Sequence, residues 1–421
     1  MNRELQADTH PKYLRWLIGF YTVLIVYGTL YPLSGWNIEL GGLHELLQLK
    51  WPQHFSRGDV LVNFLVYMPF GYLIGLSQKS DNHSRIIAIT TLLGFLLCSS
   101  LEYLQTFLPN RVPSLLDILL NSIGSLVGSL LSILLGYQSN FAKLLAAQKR
   151  EFLLNTPLTN LVILSAGFWI LAQLTPLVPS PDIGNLRAGI KPLWHFVQHP
   201  AIFNIERFVS YTLNFAGLGL LLVSFNRPHH PILGKIVLLM LTVLLLKIPI
   251  VDRSLSVEAL FGLVCAIPVW LLLDVRSAKI KGVLIIGFLL IAYSVEGLSS
   301  DSSDKLQLLH PMNWIPFYHQ MGDVVGLVDL LLSIWPFMAL AAATLMIRQS
   351  PPLSLLVFTT LLVALFCYMI ERAQLRLVGR FADITDVLVA TLSYAWCIVK
   401  YRKSEYTKPD YDYSIVGKMI E

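Results

Sequence analysis

From Ser114 to Tyr137 the chain reads Ser-Leu-Leu-Asp-Ile-Leu-Leu-Asn-Ser-Ile-Gly-Ser-Leu-Val-Gly-Ser-Leu-Leu-Ser-Ile-Leu-Leu-Gly-Tyr, with Asp117 its sole charged residue. A helix needs about 20 apolar residues to cross a bilayer core, so this stretch reads as a membrane span. Comparable runs lie at 16–32, 59–77, 86–107, 158–177, 207–224, 233–250, 255–273, 281–297, 323–347, 353–370 and 384–399, which makes twelve. Several are near the minimum length. The first run follows Lys12 and Arg15 as a signal sequence would, but it ends in Thr29-Leu30-Tyr31-Pro32 with no small-x-small cleavage pattern. It is therefore predicted to be a retained first span.

Composition agrees with this reading. Of 421 residues, 55% are hydrophobic and only 14% charged, and the mean hydropathy is +0.63. Soluble proteins carry roughly a quarter charged residues. Disorder is excluded by the same figures. Twelve spans would consume about 240 residues and leave about 14 for each connecting piece, so no soluble catalytic domain fits. Cys98, Cys265, Cys367 and Cys397 lie in apolar runs without a CxxC arrangement and read as small buried hydrophobes. A net charge of +5 is small for this length and carries no nucleic-acid footprint.

The longer polar connections fall at 33–58, 178–206 and 298–322. Placing the N-terminus inside puts nineteen of the 31 Lys and Arg residues in cytoplasmic segments, including Arg3, Lys79, Lys143, Lys149, Arg150 and the tail. The positive-inside rule then predicts both termini in the cytoplasm and the three long connections outside.

A long outer connection after the first, fifth and ninth spans predicts three units of four spans. Glu102-Tyr103-Leu104-Gln105, Arg111 and Asp117 close the first unit, and Glu371-Arg372-Ala373-Gln374, Arg380 and Asp386 close the last. In both copies the interval from Glu to Gln is three, and the next two are six. Pro69-Phe70 and Pro336-Phe337 also correspond, with two extra residues before the acidic site in the later copy. The middle unit is degenerate. It keeps Leu174-Thr175-Pro176-Leu177 opposite Leu30-Tyr31-Pro32-Leu33, and Asn214-Phe215 opposite Asn63-Phe64. After its third span come Asp252, Arg253 and Glu258, with Lys247 nearby and no Glu-x-x-Gln. The predicted boundaries are 1–140, 141–278, 279–400 and a cytoplasmic tail at 401–421.

Charged groups inside a membrane normally face a partner, water or a substrate. Glu102 and Gln105 share one face of the third span, and Asp117 and Asn121 share one face of the fourth. Pro109-Asn110-Arg111-Val112-Pro113 between them is a tight turn. The hairpin is expected to gather Glu102, Gln105, Arg111, Asp117 and Asn121 near the outer interface. An arginine offers a bidentate fork to a carboxylate or phosphate. Two uses remain open: an ion-pair clasp that fixes the hairpin, or a headgroup site in which Glu102 and Asp117 position Arg111. Glu371, Gln374, Arg380 and Asp386 form the second copy.

The motif Asn63-Phe64-Leu65-Val66-Tyr67-Met68-Pro69-Phe70-Gly71-Tyr72-Leu73 resembles the second span of the VanZ-like family. Ser100-Leu101-Glu102-Tyr103-Leu104-Gln105, with Arg111, Asp117, Asn121 and Gly124, resembles its third and fourth spans. Asn313-Trp314-Ile315-Pro316-Phe317 is similar to its Asn-x-Ile-Pro-Phe element, here in the last unit. The resemblance covers residues 15–137 well, 281–398 less well and 158–275 in outline. The last unit departs by carrying Leu330 for Asn63 and Ala390 for Asn121, and it has no Gly after Pro336-Phe337. The resemblance implies a small integral membrane module, associated with teicoplanin resistance in its founding member and otherwise with envelope or polysaccharide settings.

Other signals carry less. His195 and His199 are four apart but lack an acidic third ligand, and Trp194, Phe196 and Val197 mark an interfacial amphipathic stretch. His229-His230 is read as solvated. No GxxxxGK[ST] loop occurs, which speaks against ATP-driven transport by this chain alone. Ser122, Gly124, Ser125, Gly128 and Ser129 form a small-residue stripe for close helix packing. Trp36, Trp51, Trp194 and Trp314 read as interfacial anchors.

The expected fold is all-α, about twelve transmembrane helices in three four-helix units. The leading functional expectation is a non-enzymatic envelope protein of the bacterial cytoplasmic membrane. It would bind an anionic lipid or lipid-linked glycan headgroup, or another envelope precursor, from outside. A secondary transporter or flippase is the alternative, and a membrane enzyme using Glu102 or Asp117 as base ranks last. No cofactor, metal or nucleic-acid partner is expected.

Overall fold

The computed structural model describes residues 12–402 apart from 32–33, 38–40, 48–50, 52–56, 79, 81, 110, 137–138, 181, 228–231, 275, 300–310, 319, 321–323 and 378–379. Pro32, Lys79, Asn110, His229, His230 and the tails with their basic residues therefore lie outside the described residues.

The regular elements are helices throughout the described residues. They are α1 (Lys12–Leu30), α2 (Leu43–Leu47), α3 (Arg57–Ser77), α4 (His83–Gln105), α5 (Leu115–Leu135), α6 (Asn140–Phe152), α7 (Pro157–Leu174) and α8 (Ile183–Gln198). There follow α9 (Ile205–Ser224), α10 (Leu233–Leu246), α11 (Val257–Leu273), α12 (Ala278–Leu298), α13 (Val324–Ile347), α14 (Leu353–Gln374) and α15 (Ile384–Tyr401). Among the described residues nine helices are long and apolar enough to cross a membrane, and shorter apolar helices occupy Leu17–Leu30, Leu233–Leu246 and Val257–Leu273. The chain is an all-α polytopic membrane protein.

The twelve apolar helices coincide with the twelve predicted runs. One departure is α10, which ends at Leu246 rather than near 250. Lys247 and Pro249 follow at once, and a proline disfavours helix at the residue before it. At 1.5 Å per residue this 14-residue helix spans about 21 Å. Besides the five-residue α2, two further helices are not spans. One is α8, in the stretch predicted to be amphipathic. The other, α6, carries Lys149 and Arg150 in its last turn and exposes Leu144 and Leu145.

Helix starts follow side-chain chemistry. Asn82, Ser114, Thr156, Asp182, Asn204, Ser256, Ser277 and Asp383 each accept a backbone N–H from the first turn they precede. Without such caps the first four N–H groups of a helix lack partners. The lateral surfaces are apolar. On α14, Leu353, Val357, Phe358, Leu361, Leu365 and Met369 are exposed at helical spacing, while Cys367, Glu371 and Gln374 are buried. Such a stripe would drive aggregation in water and matches hydrocarbon in a bilayer.

The described helices form two compact bodies: residues 1–148 with 317–326, and 149–316 with 327–421. In the first, α3 and α5 pack backbone against backbone. A methyl group at Gly71 would overlap the Ser125 carbonyl oxygen, and one at Gly128 the Met68 carbonyl oxygen. This is the close packing expected of the small-residue stripe. In the second, α13 is enclosed along Trp335–Ala343, and Trp270 of α11 donates its indole N–H to the Phe215 and Ala216 carbonyls of α9 at 3.1 and 3.3 Å.

Candidate functional site

The α4–α5 hairpin is held by backbone groups. Ser114 caps α5 by accepting the Leu116 N–H at 3.1 Å, and the buried Glu102 carboxylate accepts the Ser114 N–H at 2.9 Å. A carboxylate there meets the positive end of the α5 dipole. One turn into α5, Asp117 accepts from the Asn63 amide at 2.7 Å. Among the described residues the buried Asn121 Oδ1 has no hydrogen-bond donor. Gln105 donates to the Thr29 carbonyl at 3.0 Å.

Arg111 reaches the same end of α1. Its Nε donates to the Tyr31 carbonyl at 3.2 Å, and its Nη2 donates to Tyr31 at 2.9 Å and Gly28 at 3.2 Å. The last four carbonyls of a helix have no intrahelical donor, and a cation there also opposes the negative pole of the dipole. This corrects the expectation that Glu102 and Asp117 position Arg111. The five residues do gather at one hairpin, but the arginine's hydrogen bonds go to α1 carbonyls and the Glu102 oxygen goes to a backbone amide.

The later copy repeats the arrangement. Glu371 accepts the Asp383 N–H at 2.7 Å, and Asp383 in turn caps the Thr385 N–H at 2.7 Å. Arg380 donates from Nε to the Ser299 carbonyl at 2.9 Å, and from Nη2 to the Ser299 hydroxyl at 2.7 Å and the Glu296 carbonyl at 2.5 Å. With Leu330 in place of Asn63, the partner of Asp386 comes from the next turn of α13: Ser333 donates its hydroxyl at 3.3 Å. Gln374 is buried at the end of α14, and Ala390 is buried in α15. Asn313, from the Asn-x-Ile-Pro-Phe element, donates its amide to Asp383 at 3.0 Å and pairs its backbone with Ala382 and Ile384.

The middle region holds a third instance. Arg253 donates from Nε to the Thr175 carbonyl at 2.5 Å and from Nη2 to Ala172 at 3.4 Å. Ser256, three residues on, caps α11, as Ser114 and Asp383 follow their arginines by three. Six residues before Arg253 stands Lys247, at the interval that separates Gln105 from Arg111 and Gln374 from Arg380. Lys247 is 5% exposed, and its Nζ donates at 3.2 Å to both the Gln173 amide oxygen and the Tyr211 hydroxyl. Each arginine thus grips two carbonyls three residues apart, at 28 and 31, 172 and 175, or 296 and 299. Among the described residues nothing accepts from the Nη1 of any of the three.

Residues 18–136 match the family model described as VanZ/LLP1. Over this segment the chain is similar to that family. The segment contains α4, α5, the gripped end of α1, and every residue of the first hairpin cluster. No curated protein and no solved structure matches the chain.

Outside the VanZ-like unit, the second body encloses a cavity of about 350 Å3 between α7, α9, α10, α12 and α13. Its charged lining is Arg207, Lys247, Arg253 and Arg380, with Glu206 and Glu296. Sequence reading noted Lys247 and Arg253 but assigned neither a role, and it passed over Arg207. The usable signal was the six-residue interval from Lys247 to Arg253. His195 and His199 lie along and just beyond α8, and the described residues contain no group of three His, Cys, Asp or Glu side chains placed to hold a metal.

Proposed function

We propose that the chain comprises three homologous four-helix units in the bacterial cytoplasmic membrane, with both termini cytoplasmic. Its activity is to bind the anionic headgroup of a lipid or lipid-linked glycan at the extracytoplasmic ends of α4, α5 and their counterparts. In the VanZ-like unit the binding set is Glu102, Gln105, Arg111, Asp117 and Asn121; Glu371, Gln374, Arg380 and Asp386 form the second set. One observation carries the reading. Each gripping arginine commits one edge of its guanidinium to helix carbonyls, and among the described residues nothing engages its Nη1. The group is thus oriented before any anion arrives, and an oriented fork loses less freedom on binding a phosphate or carboxylate. Asn121 Oδ1 adds an acceptor without a donor, suited to a hydroxyl of the headgroup.

Native mass spectrometry of protein released from its own membrane tests this reading. Parent protein is expected to retain anionic lipid or lipid-linked glycan, and Arg111→Gln to retain several-fold less. Arg111→Lys keeps the charge without the fork and serves if the glutamine variant does not insert. Undiminished retention in an inserted variant would overturn the proposal.

A further inference from the structure

We infer that the cavity of the second body is a separate anion site that binds a phosphate ester through Lys247, Arg207 and the uncommitted Nη1 groups of Arg253 and Arg380. The inference shares with the headgroup reading its chemistry and one residue of the second set, Arg380, and rests otherwise on residues that reading does not use.

Lys247 is the first argument. Its ammonium is buried, and both of its hydrogen-bond partners are neutral. No described carboxylate forms an ion pair within 4.0 Å of Lys247, and Glu296 acts on it only at longer range across the cavity. A buried cation with no carboxylate in contact is costly unless an anion completes the site.

The register supplies the second. Nine residues before the gripping arginine stand Glu102 and Glu371, but Leu244 in the middle region; six before it stand Gln105 and Gln374, but Lys247. One position has lost a negative charge and the other has gained a positive one. The middle hairpin has therefore become more basic by two charges at the place where the cavity lies.

Stoichiometry and shape set the ligand class. Four cations and two carboxylates line the cavity, and Asp329 acts on Arg253 from nearby, so the site stays net positive and suits a phosphate ester anion. Glu296 accepts from Ser210 at 3.4 Å, and with Asn214 it offers polar groups to hydroxyls on the esterified alcohol. A cavity of about 350 Å3 is at the small end of ligand pockets and has room for more than a bare phosphate.

The test uses full-length protein in phosphatidylcholine nanodiscs, read by thermal denaturation. In one arm glycerol 3-phosphate is titrated in; in the other, phosphatidylglycerol is added to the disc lipid. At least one arm is expected to raise the midpoint of the parent, because a ligand that binds the folded state stabilises it. A response to glycerol 3-phosphate alone identifies a free ester, and a response to phosphatidylglycerol alone a lipid-borne one. Lys247→Gln and Arg207→Gln are expected to weaken the responding ligand by roughly tenfold. Arg207 is exposed and serves alone if the Lys247 variant does not fold. No shift in either arm, or an undiminished shift in the folded variants, would overturn the inference. Arg111→Lys is expected to leave intact the part of the shift that Lys247→Gln removes, so failure here is distinguishable from failure of the headgroup reading.

Discussion

Glu102 and Glu371 each use a carboxylate oxygen as a hydrogen-bond acceptor for one backbone N–H. An amide oxygen can accept the same bond, whereas a leucine cannot. Glu102→Gln and Glu371→Gln are therefore expected to fold with stability within about 1 kcal/mol of the parent, and the corresponding Leu variants to lose about 1–3 kcal/mol. Chemical denaturation in detergent measures the difference. A Gln variant as damaged as the Leu variant would show that the negative charge itself is required. These two residues were legible in the sequence because polar groups at repeated spacing stand out within apolar runs. Their partners were not, because backbone amides and carbonyls leave no trace in residue identity. The same blindness explains Arg111, which looked like half of an ion pair and grips the end of α1 instead.

Among the elements, apolar length carried most of the information. Each of the twelve runs became an apolar helix, because a segment in hydrocarbon must satisfy its backbone internally. Shorter elements were harder to see. Neither α6 nor α8 is an apolar helix, and only α8 carried an aromatic cluster that marked it. How closely two helices approach depends on their smallest residues, and here the small-residue stripe on α5 was informative. Gly128→Ala is expected to push α3 and α5 apart and cost about 1–3 kcal/mol, since its methyl would meet the Met68 carbonyl oxygen and the Tyr72 amide nitrogen. Gly167→Ala in α7, with open space around the added carbon, is expected to be neutral or slightly stabilising. Thermal midpoints of the two variants, compared side by side, check this; equal effects would contradict the close-packing account.

For the whole molecule, the repeat proposed from two matched clusters gains a third instance at Arg253. What sequence spacing alone could not supply was the carbonyl pair at Ala172 and Thr175. The three grips connect the end of α1, α7 or α12 with the turn after α4, α10 or α14. The account depends on the gripped end of the VanZ-like unit facing the extracytoplasmic side, where a headgroup can reach it. Val112, in the α4–α5 turn beside Arg111, is 86% exposed and tolerates a reporter. The decisive measurement is labelling of Val112→Cys in intact cells by a membrane-impermeant maleimide, scored above the parent chain with its own four cysteines. The account expects labelling without permeabilisation. Labelling that appears only after the membrane is opened would place the turn in the cytoplasm and contradict it.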